Sequence, residues 1–141
     1  ARTAKIGVFA VAHATYWAQF DGLEGNIMGF HKDFVKSVEK NAVETVDFGM
    51  VDSSEKAYET VKKILAADVD ILFCNMVTYA TSSVFAPIIK EVDKPVILTA
   101  LQPLSALERL TLLCSLKTTI FARFPNLRVL QYVWAKRLPT L

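Results

Sequence analysis

The chain has 141 residues, 52% of them hydrophobic and 21% charged, with a formal net charge of +2. That length suits one domain with a real core, and the apolar fraction excludes a mainly disordered chain. Five Gly and five Pro exclude collagen-like and low-complexity classes, and two cysteines, Cys74 and Cys114, are too few for a disulfide framework.

Residues 5–12, KIGVFAVA, are a short, almost continuous apolar run rich in Val, as expected of a strand buried on both faces. The period then changes. Over 26–40, Ile27, Phe30, Phe34 and Val38, with His31 and Val35, recur at helical spacing, while Lys32, Asp33, Lys36, Glu39 and Lys40 take the other face. Asn26 is the candidate N-cap. Residues 43–50 alternate as a strand does. A second helix follows, capped by Ser53 or Ser54, with Lys56, Glu59, Lys62 and Lys63 outward and Tyr58, Val61, Ile64 and Leu65 inward. DILFCNMV (70–77) is a further buried strand. The next helix spans about 82–92, where Pro87 is expected to be tolerated only near the first turn. Lys94-Pro95 turns the chain into a fourth strand at 96–101.

Strand and helix alternate with short connections. The expected fold is therefore α/β: a Rossmann- or flavodoxin-like three-layer sandwich with a mostly parallel sheet of about four strands. In such sheets the site lies beyond the carboxyl ends of the strands. Those ends here are His13–Gln19, Gly49–Ser54, Thr78–Ser83 and Gln102–Leu104.

The first strand lacks the G-x-G-x-x-G fingerprint, and no P-loop motif occurs, which disfavours nucleotide binding. HATYWAQF (13–20) gathers one His, one Tyr, one Trp and one Gln where a loop should leave the sheet. It reads either as a packed aromatic loop with locally satisfied tips or as a site for a polar ligand such as a sugar, and composition favours the first. Thr78-Tyr79-Ala80-Thr81-Ser82-Ser83 is hydroxyl-rich at another strand end, suited to ordinary helix capping or to a polyol. Gln102 points towards the same edge. His31, beside Phe30 and Phe34, reads as a satisfied, half-buried histidine with no second ligand at metal spacing. Cys74 reads as a small buried hydrophobe. No nucleophile–base pair or acid–base dyad emerges, so the first hundred residues describe a binding-type domain.

HATYWAQFDGL, MGFHKDF, VDSSEKAYE and LFCNMVTYATSSVFAPIIKEVDKPVILTALQPLSAL together resemble, in order, the N-terminal domain of L-arabinose/L-fucose isomerase-type sugar isomerases. The resemblance covers about Lys5 to Leu107, and assigns residues 1–107 to that domain. It implies a family that interconverts aldoses and ketoses with a divalent metal such as Mn²⁺, in long, three-domain, homo-oligomeric enzymes. The Glu and His metal ligands belong to later domains, and none maps onto this sequence. The N-terminal domain lends sugar contacts instead. Matching by segment, these are Tyr16, Trp17 and Gln19 in the first loop, Thr78 and Tyr79 after the third strand, and Gln102 after the fourth, with His13 supporting the loop. The implied partner is a sugar in the full-length family, with neither nucleic acid nor membrane and no cofactor held by this chain. A stand-alone sugar-binding module is the alternative. The thiol usage, with no signal pattern, suits a cytoplasmic setting.

The resemblance breaks after LQPLSAL. Residues 1–108 hold 10 Lys+Arg and 14 Asp+Glu, whereas 109–141 hold six basic residues and no acid, and no Gly follows Gly49. Codons exist for Lys117–Val129 that, read one nucleotide earlier, encode Asn-Asp-Asp-Ile-Cys-Ser-Val-Pro-Glu-Phe-Thr-Gly, in the style of the family's next segment. Residues 108–141 are therefore expected to be a non-family tail translated out of frame. Part of it would extend a helix from Leu104 to about Leu116, and the rest would be loosely held. Its basic character could mimic a nucleic-acid patch, but a frame accident yields the same bias.

Overall fold

The computed structural model describes residues 2–101 and 132–134. Within them run β1 (Lys5–Val11), α1 (Leu23–Glu39), β2 (Glu44–Val51), α2 (Ser54–Ala67), β3 (Ile71–Met76), α3 (Ser82–Glu91), β4 (Val96–Thr99) and β5 (Tyr132–Trp134). The sheet order is β2-β1-β3-β4-β5. The first four strands are parallel, and β5 joins β4 antiparallel. The expected α/β class and three-layer arrangement are both present. Gln102, the helix expected from Leu104 to Leu116 and the rest of the tail outside 132–134 lie outside the described residues. Among the described residues no helix is long and apolar enough to cross a membrane.

The strand alternation sorts the core into two layers. Ile6 and Val8 of β1 and Phe73 of β3 pack with Phe34, Val35 and Val38 of α1. Phe9 and Val11 of β1 and Leu72 and Cys74 of β3 pack with Val61 and Ile64 of α2 and Val84 and Ile88 of α3. The chain passes from β1 outward to β2, then back across the sheet to β3 and on to β4. Right-handed crossovers then require α1 on one face and α2 and α3 on the other, as found. Gly7 lets β1 approach its neighbours closely, since a Cβ there would lie 2.6 Å from Leu72 Cδ2 and 2.7 Å from Phe48 Cε2.

Several expectations change: Tyr132–Trp134, placed in a loosely held tail, pairs with β4, Phe30, placed on the apolar face of α1, is 47% exposed, and four more follow. First, α1 begins at Leu23 rather than at residue 26, and its N-cap is Gly22 in the left-handed region (φ 72°), not Asn26. Leu23 and Ile27, four apart, both bury and carry the apolar stripe one turn further back. Second, α2 is rotated from its expected face. Tyr58 and Leu65 are 56% and 58% exposed, while Ala57, Thr60, Val61 and Ile64 are buried. Small side chains at 57 and 60 let α2 press against the sheet and α3, which large ones would hold away. Third, Pro87 is the sixth residue of α3, past the first turn. The carbonyl it leaves unbonded is that of Ser83, an exposed residue, so water can take its place. Fourth, His31 is fully rather than half buried.

Candidate functional site

β1 and β3 are adjacent, yet their connections leave in opposite directions, towards β2 and towards β4. In open α/β sheets, ligands bind beyond the carboxyl ends of such a strand pair. The ladder continues past the strands into both loops. Ala12 N–H donates to the Val51 carbonyl (3.0 Å), Ala14 N–H to that of Asp52 (3.3 Å) and Val77 N–H to that of Val11 (3.3 Å).

A 3-10 turn at Ala14–Tyr16 follows β1, and His13 is its N-cap. Thr15 N–H donates to His13 Nδ1 (3.3 Å), so the neutral ring carries its proton on Nε2. His13 sits between two rings. Its centroid is 5.6 Å from that of Tyr16 and 6.3 Å from that of Tyr79, with the His13 and Tyr79 planes only 16° apart. Phe20 lies 6.3 Å from Tyr16. Thus residues from the β1 and β3 loops form one aromatic cluster. Tyr79, 54% exposed, presents its ring to solvent.

Trp17 is held by Asp52 at the end of β2. Trp17 Nε1 donates to Asp52 Oδ2 (2.8 Å), and Lys56 Nζ pairs with Asp52 Oδ1 (2.8 Å). Asp52 is only 7% exposed. Burial alone would raise its carboxyl, but the bonds from Lys56 and Trp17 outweigh that and hold it below the ordinary range.

Of the residues expected at the site, Tyr16 and Tyr79 are joined through the His13 ring, whereas Trp17 is held by Asp52 at the end of β2. Thr78 is buried, and its hydroxyl donates to the Tyr79 carbonyl (2.9 Å), shaping the loop. Gln19 is exposed. The hydroxyls of Thr81 and Ser83 pair with each other (2.8 Å) at the start of α3. Sequence reasoning missed Asp52 as the Trp17 tether. Its signal was a carboxylate at a strand end, just before a Ser helix cap.

A second polar group lies under α1. His31 Nε2 meets Asp47 Oδ1 of β2 at 2.8 Å, and Asn75 Nδ2 of β3 lies 3.4 Å from His31 Nδ1. The neutral Nε2–H tautomer satisfies both contacts. Asp47 Oδ1 also accepts from Gly49 N–H (2.8 Å). The His31 bond holds the Asp47 carboxyl below its ordinary range against partial burial, and Gly49 N–H adds to the effect. Cys74 is fully buried, and burial pushes its thiol up to about 12, so it is a packing residue.

Among the described residues, no three His, Cys, Asp or Glu side chains stand together as a cation site. The close His31–Asp47 pair has both imidazole nitrogens engaged. The described residues thus offer no ligand set for the divalent metal that the resemblance places in later domains. The aromatic cluster can offer ring faces, phenol hydroxyls and an imidazole N–H to a polar ligand, which is binding chemistry.

Strand order defines an α/β domain of flavodoxin-like topology whose switch point lies between β1 and β3. No protein-family model matches the chain, and no curated protein matches it.

Proposed function

We propose that this chain carries the sugar-contacting N-terminal domain of a metal-dependent aldose–ketose isomerase of the arabinose/fucose type, in which other domains hold the metal and move the hydrogen. The observation that supports it is the cluster of His13, Tyr16 and Tyr79 beside a tethered Trp17, at the carboxyl ends of β1 and β3. Ring faces stack on the C–H faces of sugars, and phenol and imidazole tips bond their hydroxyls. In this reading Gln19, Thr78 and Gln102 complete or shape the sugar surface. Mn²⁺, its ligands and the homo-oligomeric assembly belong to the parent enzyme, in a cytoplasmic setting.

The test is titration of the full chain with L-arabinose and with L-fucose, followed by Trp17 emission in a Trp134→Phe background, together with an isomerase assay in added Mn²⁺. Saturable millimolar binding without turnover is expected. No emission change with either sugar overturns the sugar reading, turnover overturns the reading that other domains move the hydrogen, and micromolar binding by the monomer favours the stand-alone module. The nucleotide sequence of codons 108–141 tests the out-of-frame tail. If it cannot be re-read in the family's style, the tail is native.

A further inference from the structure

We infer that Asp47, remote from the aromatic cluster in sequence and bonded through one oxygen to His31 of α1 and to Gly49, is the positioning residue that sets Trp17 in place. The inference rests on the reading that the cluster at the ends of β1 and β3 is the functional site.

Val8 pairs with Asp47, but Ala10 pairs with Met50, so Phe48 and Gly49 together face Phe9 alone. This is a β-bulge, with Gly49 at φ 79° in the left-handed region that favours glycine. Residues two apart on a strand share a face. Val46 and Phe48 pack in the layer beneath α2 and α3, and so does Val51. An even-to-odd change of that kind is possible only because the bulge absorbs one residue. In an unbulged strand Val51 would share the face of Asp47, and Asp52 would turn towards α2 and α3, away from the β1–α1 loop. With the bulge, Asp52 comes to the Trp17 side and holds the indole at 2.8 Å.

Asp47 closes that bulge with one oxygen, Oδ1, which accepts from Gly49 N–H and meets His31 Nε2, both at 2.8 Å. His31 lies on α1, whose first residue, Leu23, follows the loop that carries Trp17. Asn75 on β3 meets the other imidazole nitrogen. One carboxylate therefore joins the two supports of the loop, the end of β2 and the body of α1. The imidazole thus links β2 to β3 across the strand between them, β1.

The test reads the Trp17 indole N–H by NMR in the full chain with Trp134→Phe, in Asp47→Ala, in Asp47→Asn and in a control, Ile64→Val, that weakens the core elsewhere. Asp47→Ala should shift the indole proton towards its water-exposed position and speed its exchange. Asp47→Asn, which keeps an acceptor for Gly49 and His31, should leave it near the parent position, as should Ile64→Val. An unmoved indole in folded Asp47→Ala, or equal movement in Asp47→Asn, overturns the inference. Should Asp47→Ala fail to fold, the unmutated protein decides. The Gly49 amide and the Trp17 indole proton should then show matching protection, and an indole that exchanges orders of magnitude faster overturns the inference. Sugar titrations in parallel separate the two ideas. Absence of binding by the parent chain sinks the sugar reading alone, while binding with an unmoved indole in Asp47→Ala sinks the positioning role alone.

Discussion

Asp52 accepts two bonds of equal length, and the structure ranks them. Lys56 is four residues along the first turns of α2 and its side chain is 52% exposed, so water competes for the ammonium. Exposed i,i+4 ion pairs contribute about 0.3–0.5 kcal/mol. The indole N–H is different, because it is a neutral donor meeting a buried, ionised acceptor at 2.8 Å in a partly buried setting. Hydrogen bonds to charged groups contribute about 1.5–3 kcal/mol. Two double-mutant cycles, read by urea denaturation with far-ultraviolet circular dichroism, separate them. Trp17→Phe crossed with Asp52→Ala should give a coupling of about 1.5–3 kcal/mol, and Lys56→Met crossed with Asp52→Ala about 0.5 kcal/mol or less. The first cycle cancels the packing lost when indole becomes phenyl, since that loss occurs with or without Asp52. A larger coupling for Lys56 than for Trp17 would refute the view that Asp52 serves chiefly to hold the loop.

Two further outcomes follow from the same geometry. Asp47 and Asp52 are both held below the ordinary aspartate value of 3.8 in the folded chain. The unfolded chain binds protons first, so their contribution is complete above that value and is lost as pH falls through their lowered folded values. The urea midpoint should drop on acidification below about pH 4, and Asp47→Asn or Asp52→Asn should flatten the drop. Gly25 and Gly29 lie inside α1 with nothing within 4 Å of an added Cβ, so each Gly→Ala change should stabilise by about 0.5–1 kcal/mol. Gly49→Ala, at φ 79°, should destabilise by about 1–2 kcal/mol, read as opposite shifts of thermal midpoint.

The order from β1 to β4 was legible because β1, β3 and β4 are compact apolar runs, β2 alternates and each helix is periodic, whereas β5 lies in the tail and was not expected. Faces were less legible. Large apolar residues at 58 and 65 drew the expected face of α2 towards them, yet the buried face is built from Ala57 and Thr60, which periodicity weights lightly. The start of α1 was misplaced because Asn26 is a good cap by type, whereas Gly22 caps by backbone conformation, which side-chain preference does not reveal. The aromatic segment at 13–20 was visible as composition. Its pairing with Tyr79 follows only from β1 and β3 being neighbours, and His31 could not be given a partner because Asp47 reaches it through strand register.

The cluster also sets how a sugar could sit. A ring held between two aromatic planes needs about 7–8 Å, two contacts of about 3.5–4 Å each. The His13 and Tyr79 centroids are 6.3 Å apart and their planes nearly parallel, so no ring enters between them. A ligand must lie on the outer face of Tyr79 or across the edges of His13 and Tyr16. The loops themselves are well anchored, by ladder bonds running past β1 and β3 and by the Trp17–Asp52 bond, so little ordering is lost on binding. Among the described residues, the rings of His13, Tyr16 and Tyr79 supply one wall. A preorganised surface open on one side buries only part of a sugar, and most affinity in ligand sites comes with enclosure. That geometry suits a domain whose site is completed by another part of a larger assembly, and it is why millimolar rather than micromolar binding is the expected result for this chain alone.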